Sequence, residues 1–380
     1  MSAIKLETFS GSHYEIGVQQ GRALGELIHE GLRRVPDFEA LKFMKPRLLP
    51  TFLFLRLAKR RAAKLLKDDI FRHYPKQAER LRGIGEGADV DMSTLLFLQS
   101  MELLIGRPTF ILQGCTTVGF IPQGTTTSET IIGKNFDYLN DLASYQLTCR
   151  TTPKERYKTL GCTIASFPGI LDGMNERGLT VTYNLAFATD ELQCFVPLSM
   201  VLQEMLETCS NVDDAIKYLA QAKRGGHDAL LTLADAEGNI RSVEITSSHI
   251  AIGEIADDHT INTNHYHTSE MRQYEIPHNA VYYGRGVPED LVGVRVHESS
   301  EQRLLRAEEL LKSEGEIDEG KIAEVLRDHG EDNEPSNLTI CQHGALVSTT
   351  RSVIFYPNRK TIRVLYGSPC QNEYTQFAFS

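Results

Sequence analysis

The stretch QGCTT at residues 113–117 opens a predicted β-hairpin that closes with GKNFD at residues 133–137. Both arms are rich in β-branched side chains, which favour strands, and the Gly- and Thr-rich sequence between them is typical of a turn. A turn centred on Thr126 would place Cys115 and Asp137 opposite each other at the open end of the ladder. The pattern therefore predicts a thiol that faces a carboxylate.

A glycine directly precedes this cysteine. Because glycine tolerates backbone conformations closed to other residues, the peptide bond between Gly114 and Cys115 can be held bent while the thiol attacks the carbonyl before it. Hydrolysis of the resulting thioester would leave Cys115 as a new N-terminus. Its α-amine, with an ordinary pKa near ~7.7–8.0, would then serve as the base for its own thiol. Such a nucleophile needs no histidine.

Four short motifs occur in a fixed order along the chain: GCTT at 114–117, GKNFD at 133–137, GMNERGL at 173–179 and TNHY at 263–266. Together they resemble the self-processing N-terminal-nucleophile (Ntn) hydrolases of the penicillin acyltransferase branch, peptidase family C45. The bile salt hydrolases and the acid ceramidase and N-acylethanolamine amidase group are more distant relatives of that branch. The likeness extends from residue 11 to residue 370, and it is carried by the ordered set.

The distribution of helix and strand signals changes near Gly114. Helical patterns dominate before it. Strand patterns dominate after it, with a last group that includes residues 338–341, and helix pairs intervene, which suits two stacked sheets between helical layers. The resemblance implies the same α+β fold, a four-layer αββα sandwich with a mainly helical N-terminal segment. We expect one integrated domain in which residues 1–114 form a pro-segment resembling an α-subunit, and residues 115–380 form the catalytic part.

The resemblance also implies roles for individual residues. Cys115 would be the nucleophile, with Gly114 and Cys115 flanking the cleavage site. Asp137 would receive or orient the α-ammonium of Cys115. Asn264 and Asn175 match positions that supply oxyanion or orienting contacts. Each assignment has a structural alternative, since Asp and Asn also favour turns, and the cysteine could be a small buried hydrophobe.

Three further positions belong to the predicted site. Arg303 aligns with an arginine near the nucleophile of the bile salt hydrolases, although it could also be a charge on a helix surface. Lys134 is a weaker candidate for orienting the substrate, because those relatives carry arginine there and lysine lacks the planar fork. Thr116, next to the nucleophile, is a second weak candidate.

Composition excludes several classes of function. The formal net charge of −10 argues against a nucleic-acid partner. The N-terminus lacks the pattern of a secretory signal, and no apolar run is long enough to span a bilayer. The seven cysteines show neither zinc-like pairing nor a compact disulfide spacing, so we expect reduced thiols in the cytoplasm, without a metal or cofactor.

Residues 42–67 combine an apolar run with a basic fringe. Such a segment can touch an anionic membrane or cover an acyl pocket, or it can be a core helix with solvated basic residues. Loops at 105–112, 141–144 and 278–292 are further candidates for pocket walls. The glycines at positions 17, 21, 25 and 31 predict close packing of the first helix against a neighbour.

The sequence thus predicts a self-processing cysteine amidohydrolase that cleaves linear amides, such as N-acyl amino acids or small amides, through a Cys115 thioester. One alternative is an acyltransferase that moves an acyl group from acyl-CoA or an amide to an amine. Another is an unprocessed Cys–His enzyme, for which His265, His267 and His343 are the candidate partners, although we interpret all three as structural or pocket-lining. A third is a non-catalytic binding protein. The acyl and amine groups and the oligomeric state stay open.

Overall fold

The computed structural model describes residues 4–39, 41, 45–105, 114–225, 228–255, 258–284, 287, 289–312 and 317–379. Its α-helices are α1 (His13–Arg34), α2 (Thr51–His73), α3 (Pro75–Ala88), α4 (Met92–Ile105), α5 (Leu198–Thr208), α6 (Val212–Gln221), α7 (Ser269–Arg272), α8 (Glu298–Lys312) and α9 (Glu319–Arg327). Its strands are β1 (Leu6–Gly11), β2 (Thr116–Phe120), β3 (Ile131–Leu139), β4 (Gln146–Pro153), β5 (Thr159–Ile164), β6 (Asp172–Asn175), β7 (Thr180–Leu185), β8 (Ala229–Ala234), β9 (Ile240–Ile245), β10 (Ile250–Gly253), β11 (His259–Asn262), β12 (Val347–Tyr356), β13 (Thr361–Tyr366) and β14 (Thr375–Ala378).

The strands form two sheets that pack face to face. The first has the order β1-β4-β5-β6-β7-β8-β9-β10, and the second has the order β11-β2-β3-β12-β13-β14. Leu160 and Met174 of the first sheet join Val353 and Phe355 of the second in one buried apolar cluster. Since side chains alternate along a strand, the opposite faces of both sheets remain to be covered by helices.

Helices cover both outer faces. On the second sheet, Val118 and Ile354 pack against Ile322 and Leu326 of α9. On the first sheet, the apolar residues of β7 and β8 join the large cluster that contains the cores of α1 to α6. The order of layers is therefore helix, sheet, sheet, helix, and the predicted α+β sandwich is confirmed.

The N-terminal part is joined to the rest by a strand, and it contains a close helix pair. β1 lies at the edge of the first sheet and pairs in parallel with β4. A Cβ on Gly17 of α1 would come within 2.1 Å of the Arg80 carbonyl oxygen. A Cβ on Gly83 of α3 would come within 2.2 Å of the Tyr14 carbonyl oxygen. The predicted close packing of the first helix is confirmed, because only glycine lets the two backbones approach this closely.

Two predictions of local structure were wrong. The ladder between β2 and β3 pairs Thr116 with Asn135, so it leads Cys115 to Phe136 rather than to Asp137. A one-residue shift arises because the connection contains a short 3-10 turn and a residue with positive φ, Ser128, instead of a symmetric turn. The strand predicted at residues 338–341 is irregular, since the Cys341 N–H donates to the Asp328 carbonyl rather than to a ladder.

Candidate active site

Cys115 lies directly before β2, and only 4% of its surface is exposed. Its carbonyl oxygen accepts two hydrogen bonds, from Nη1 of Arg303 at 2.7 Å and from Nδ2 of Asn184 at 3.0 Å. Arg303 Nη1 also donates to the Thr116 hydroxyl at 2.9 Å. Arg303 and Thr116 therefore fix the backbone on both sides of the peptide bond that follows Cys115.

Arg303 belongs to the helix layer, yet its side chain is buried at 1% exposure. Its Nη2 donates to Oδ1 of Asn264 at 2.7 Å, so one guanidinium joins Asn264 to the Cys115 backbone. Burial lowers the pKa of Arg303, while the nearby Asp137, Cys115 and Tyr282 raise it. Arg303 is thus no surface charge, and its fork geometry matches several acceptors at once.

The amide of Asn264 lies against Gly114. Its Nδ2 donates to the Leu185 carbonyl at 2.7 Å, and its backbone N–H donates to the Ser300 hydroxyl at 2.7 Å. A Cβ on Gly114 would stand 2.8 Å from the same Nδ2. The glycine therefore allows an amide donor to approach the bond between residues 114 and 115.

Asp137 holds a carboxylate beside the thiol. Its Oδ1 accepts a hydrogen bond from the Thr349 hydroxyl at 2.6 Å, whereas its Oδ2 is buried and has no partner among the described residues. Burial raises the pKa of Asp137 to about 7, although Arg303, Thr349 and Lys134 act in the opposite direction. A carboxyl group with such a pKa can take up or release a proton near neutral pH.

The thiol itself is not activated in this state. Burial raises the pKa of Cys115, and the charges of Asp137 and Asp172 raise it further. Lys134 and a backbone hydrogen bond from Asp137 lower the pKa, but burial is the largest influence. The buried thiol therefore needs a base before it can attack.

A buried ion cluster supports the site from the space between the sheets. Lys134 Nζ donates to Oδ1 of Asp172 at 2.5 Å and to the Tyr183 carbonyl. Arg351 forms an ion pair with the other Asp172 oxygen, and its guanidinium lies 4.2 Å from the centre of the Phe136 ring. Because its ammonium is already bound to Asp172, Lys134 influences the Cys115 thiol through its charge.

The structure does not bring Asn175 to this cluster. Both hydrogens of its amide donate to backbone carbonyls, those of Leu206 and Cys209, at 2.8 Å. Its Oδ1 accepts from the backbone N–H groups of Arg177 and Leu179. Because an asparagine amide has no further hydrogen to donate, we reassign Asn175 to the turn between β6 and β7.

Asn184 was missed by sequence reasoning and takes part in the cluster instead. Its Nδ2 donates to Cys115, as described above, and to the Asn262 carbonyl at 2.8 Å, while its Oδ1 accepts from the Thr117 hydroxyl at 2.7 Å. The available signal was an asparagine inside the strand Thr180–Leu185, where asparagine is disfavoured.

Among the described residues, no histidine hydrogen-bonds to the Cys115 thiol. His265 Nδ1 lies 2.7 Å from the Ser300 hydroxyl, and burial lowers the pKa of His265 to about 3. His267 stacks on His265, with ring centres 5.1 Å apart, and burial lowers its pKa as well. His343 lies beside two other cysteines, Cys341 and Cys370. A Cys–His relay at Cys115 therefore has no support here.

An apolar cavity of about 550 Å³ lies under the segment with the basic fringe. It is lined by Leu41, Pro46, Leu49, Phe54, Leu57, Ala58, Arg61, Ala62, Leu65, Leu66, Phe97, Ser100, Met101, Leu103, Leu192 and Phe195. Phe97 and Leu103 belong to the same buried cluster as Cys115. Residues 42–44 and most of the predicted wall at 105–112 lie outside the described residues.

A family model described as acyl-coenzyme A:6-aminopenicillanic acid acyl-transferase matches residues 125–371. The chain belongs to this family. The resemblance predicted from the ordered motifs is thereby confirmed, and the protein is an enzyme of the hydrolase or acyltransferase type. Cys115 lies just before the matched range, so its role rests on the geometry of the site.

This chain is similar to a curated hydrolase and, more distantly, to solved structures. The beta-alanyl-dopamine/carcinine hydrolase of Drosophila melanogaster is 25% identical over 294 residues, which cover 69% of this chain and 70% of the relative. An N-acylethanolamine-hydrolyzing acid amidase ortholog of Caenorhabditis elegans is 15% identical, with a TM-score of 0.43, and the match covers 64% of this chain and 93% of that one. A conjugated bile acid hydrolase from Clostridium perfringens is 16% identical, with a TM-score of 0.41, covering 70% and 97%.

None of the described helices is both long and apolar enough to cross a membrane.

Proposed function

We propose that the protein is a self-processing amidohydrolase whose nucleophile is Cys115, exposed as an N-terminus by cleavage after Gly114. The observation that carries the proposal is the buried Oδ2 of Asp137, which has no partner among the described residues. An unpaired buried carboxylate oxygen is costly. A new α-ammonium on Cys115 would supply the missing partner.

Maturation would be an intramolecular acyl shift. Asp137, with its pKa raised to about 7, accepts the thiol proton, and the sulfur bonds to the Gly114 carbonyl carbon. The peptide C–N bond then breaks, and the nitrogen takes up the proton and becomes the α-amine of Cys115. Water hydrolyses the thioester, which leaves a carboxylate on Gly114 and restores the thiol.

Turnover would repeat the same steps on a substrate. The α-amine of Cys115 takes the thiol proton, the sulfur attacks the acyl carbon, and the amine product leaves with a proton. Asn264 would donate to the developing oxyanion, as its approach to Gly114 in the uncut chain indicates. Water then releases the acyl group as an acid. Asn184 and Arg303 would hold the backbone of the nucleophile throughout.

The name of the curated relative supports a substrate class. Beta-alanyl-dopamine, which its name gives as a substrate, is a linear amide between a small acyl group and an amine. We propose linear, non-peptide amides of this kind, including N-acyl amino acids, as substrates. The apolar cavity is a candidate site for an apolar part of the substrate.

The proposal is tested by intact mass spectrometry of freshly purified wild type, Cys115→Ala and Cys194→Ser. The third protein is a control, because Cys194 is another buried cysteine without a role in the site. We expect wild type and Cys194→Ser to separate into two polypeptides between residues 114 and 115, while Cys115→Ala stays whole and inactive. A folded wild type that remains whole would overturn the proposal: amidase activity in the whole chain would favour an unprocessed enzyme, and its absence would favour the binding protein.

A second candidate, acyl transfer, is favoured by the description of the matching family. The same Cys115 thioester could pass its acyl group to an amine instead of water. Product analysis with an acyl-CoA donor and added amine distinguishes the two. Accumulation of the N-acyl product above the free acid would make transfer the main activity.

A further inference from the structure

A second cysteine cluster lies outside the active site and consists of His329, Cys341, His343 and Cys370. Each residue offers one ligand atom, and all these atoms lie within 4.8 Å of one another. His329 follows α9, Cys341 and His343 belong to the irregular segment before β12, and Cys370 follows β13. Three separate segments therefore converge on one point.

Three of the distances between the ligand atoms match the edges of a tetrahedral metal site. The Sγ atoms of Cys341 and Cys370 are 3.7 Å apart, and Nε2 of His343 lies 3.3 Å from one and 3.4 Å from the other. Zinc bonds of about 2.3 Å to sulfur and about 2.0 Å to nitrogen, in a tetrahedron, give edges of about 3.8 Å between sulfurs and about 3.5 Å from sulfur to nitrogen.

His329 completes the set. Its Nε2 is buried and has no hydrogen-bond partner among the described residues. Its ring meets the His343 ring edge-on, with centres 5.2 Å apart and planes at 78°. A buried ring nitrogen without a partner needs an explanation, and a metal ion beside it would provide one.

We propose that these four residues bind one zinc ion. Two thiolates and two imidazoles form a complete donor set for tetrahedral zinc, so the site would be closed and structural. Both thiols would lose their protons on binding, and both imidazoles would bind as neutral rings. Cys370 is exposed, which gives the ion an entry path, whereas Cys341 is buried.

The zinc site would also position the active-site carboxylate. Gln342 stands between two ligands, and its N–H donates to the Thr349 hydroxyl at 2.9 Å. The same hydroxyl donates to Oδ1 of Asp137 at 2.6 Å. Fixing Cys341 and His343 on one ion thus fixes the segment that holds Thr349, and through it Asp137 beside Cys115.

The first test is the metal content of untagged protein, purified without chelators and measured by plasma mass spectrometry. We expect one zinc per chain in wild type and in Cys194→Ser, and close to none in Cys370→Ser and in His329→Ala. Cys115→Ala should keep its zinc, so a failure of the proposed cleavage and a failure of the zinc site are distinguishable. Wild type without zinc, even after incubation with it, would overturn the proposal.

A second measurement needs no variant. Cobalt added to the metal-free wild type should give the intense visible bands of a tetrahedral ion and a thiolate-to-metal band in the near ultraviolet. Weak bands of an octahedral ion would contradict the site. A disulfide between Cys341 and Cys370 in the intact mass of wild type purified under reducing conditions would also overturn it, because a disulfide removes both thiolates.

Discussion

The two cysteine clusters of this protein are built in different ways. The neighbours of Cys115 lie on or beside regular elements: Asn184 is in β7, Asp137 in β3 and Arg303 in α8. The cluster around Cys341 is built from irregular segments between such elements. A nucleophile depends on dipoles that the protein must hold rigidly, whereas a metal ion orders its own ligands. A regular framework therefore suits a preorganised nucleophile, whereas converging loops suit an ion that orders them.

Replacing Arg303 should break the first cluster most severely. Arg303→Met removes the donors to Cys115, Thr116 and Asn264, and we expect cleavage to slow on the order of 10³-fold. Time courses of intact mass would measure the rate. Arg306→Met is the matched control, because Arg306 lies on the same helix but pairs with Asp328 near the surface.

We expect Arg303→Met to contain as much zinc as wild type, so the two clusters should respond independently to this change. Arg303→Lys retains the charge without the fork, so its rate should lie between wild type and Arg303→Met. Cleavage of folded Arg303→Met at the wild-type rate would remove this arginine from the site.

Replacing Asn184 should affect catalysis, whereas replacing Asn175 should affect stability. We expect Asn184→Ala to lower turnover about 100-fold, because the Cys115 carbonyl loses one of its two donors. Asn175→Ala should instead lower the free energy of unfolding by about 2–4 kcal/mol and leave kcat of the processed enzyme unchanged. Denaturant unfolding and steady-state kinetics on both variants would decide, and the reverse pattern would restore Asn175 to the catalytic set.

A smaller effect is expected at the residue before the nucleophile. In Gly114→Ala the new Cβ would stand 2.8 Å from Asn264 Nδ2, so we expect cleavage to slow about tenfold, which equals ~1.4 kcal/mol in the barrier. Once cut, the enzyme should turn over normally, since residue 114 then ends the other polypeptide. Gly25→Ala is the control, because its Cβ would meet only ordinary contacts at 3.5 Å. Unchanged cleavage in Gly114→Ala would place Asn264 away from the scissile bond.

The smallest effect concerns pH and Glu102, which accepts hydrogen bonds from the Ser199 N–H and hydroxyl. Burial raises the pKa of Glu102 from 4.5 to about 7. The folded protein therefore binds more protons than the unfolded chain in this interval, and stability falls as the pH rises from about 4.5 to about 7. We expect Glu102→Gln, made in uncut Cys115→Ala, to reduce this loss by a few degrees Celsius in thermal midpoint. Equal pH dependence in both proteins would contradict the assignment.

Sequence reasoning captured the features that are local or ordered along the chain. The layers, the hairpin and the family follow from strand patterns and from motifs in a fixed order. The register was missed by one residue, because the prediction assumed a turn centred on Thr126 and did not foresee the short 3-10 turn in the connection. Asn184 was missed because a buried asparagine in a strand gains its meaning only from its partners.

The second cluster could not be found from spacing at all. Zinc-like cysteine pairs are recognised by short, regular intervals, but the proposed ligands are residues 329, 341, 343 and 370. The irregular backbone of residues 338–341 made the cluster harder to predict, because the sequence there favours a strand. Adjacency in space across three segments becomes visible only once the sheets are assembled.

The strand β1 has a consequence for the cut protein. After cleavage at residue 114, the shorter polypeptide would still supply an edge strand to the first sheet and helix α1 to the core. The enzyme would then be a heterodimer made from one gene product, and its refolding would change from a unimolecular to a second-order reaction. The thermal midpoint would depend on protein concentration in the cut form alone. Maturation would thus be a one-way step, because the separated pieces would have lost the peptide bond that joined them when they first folded.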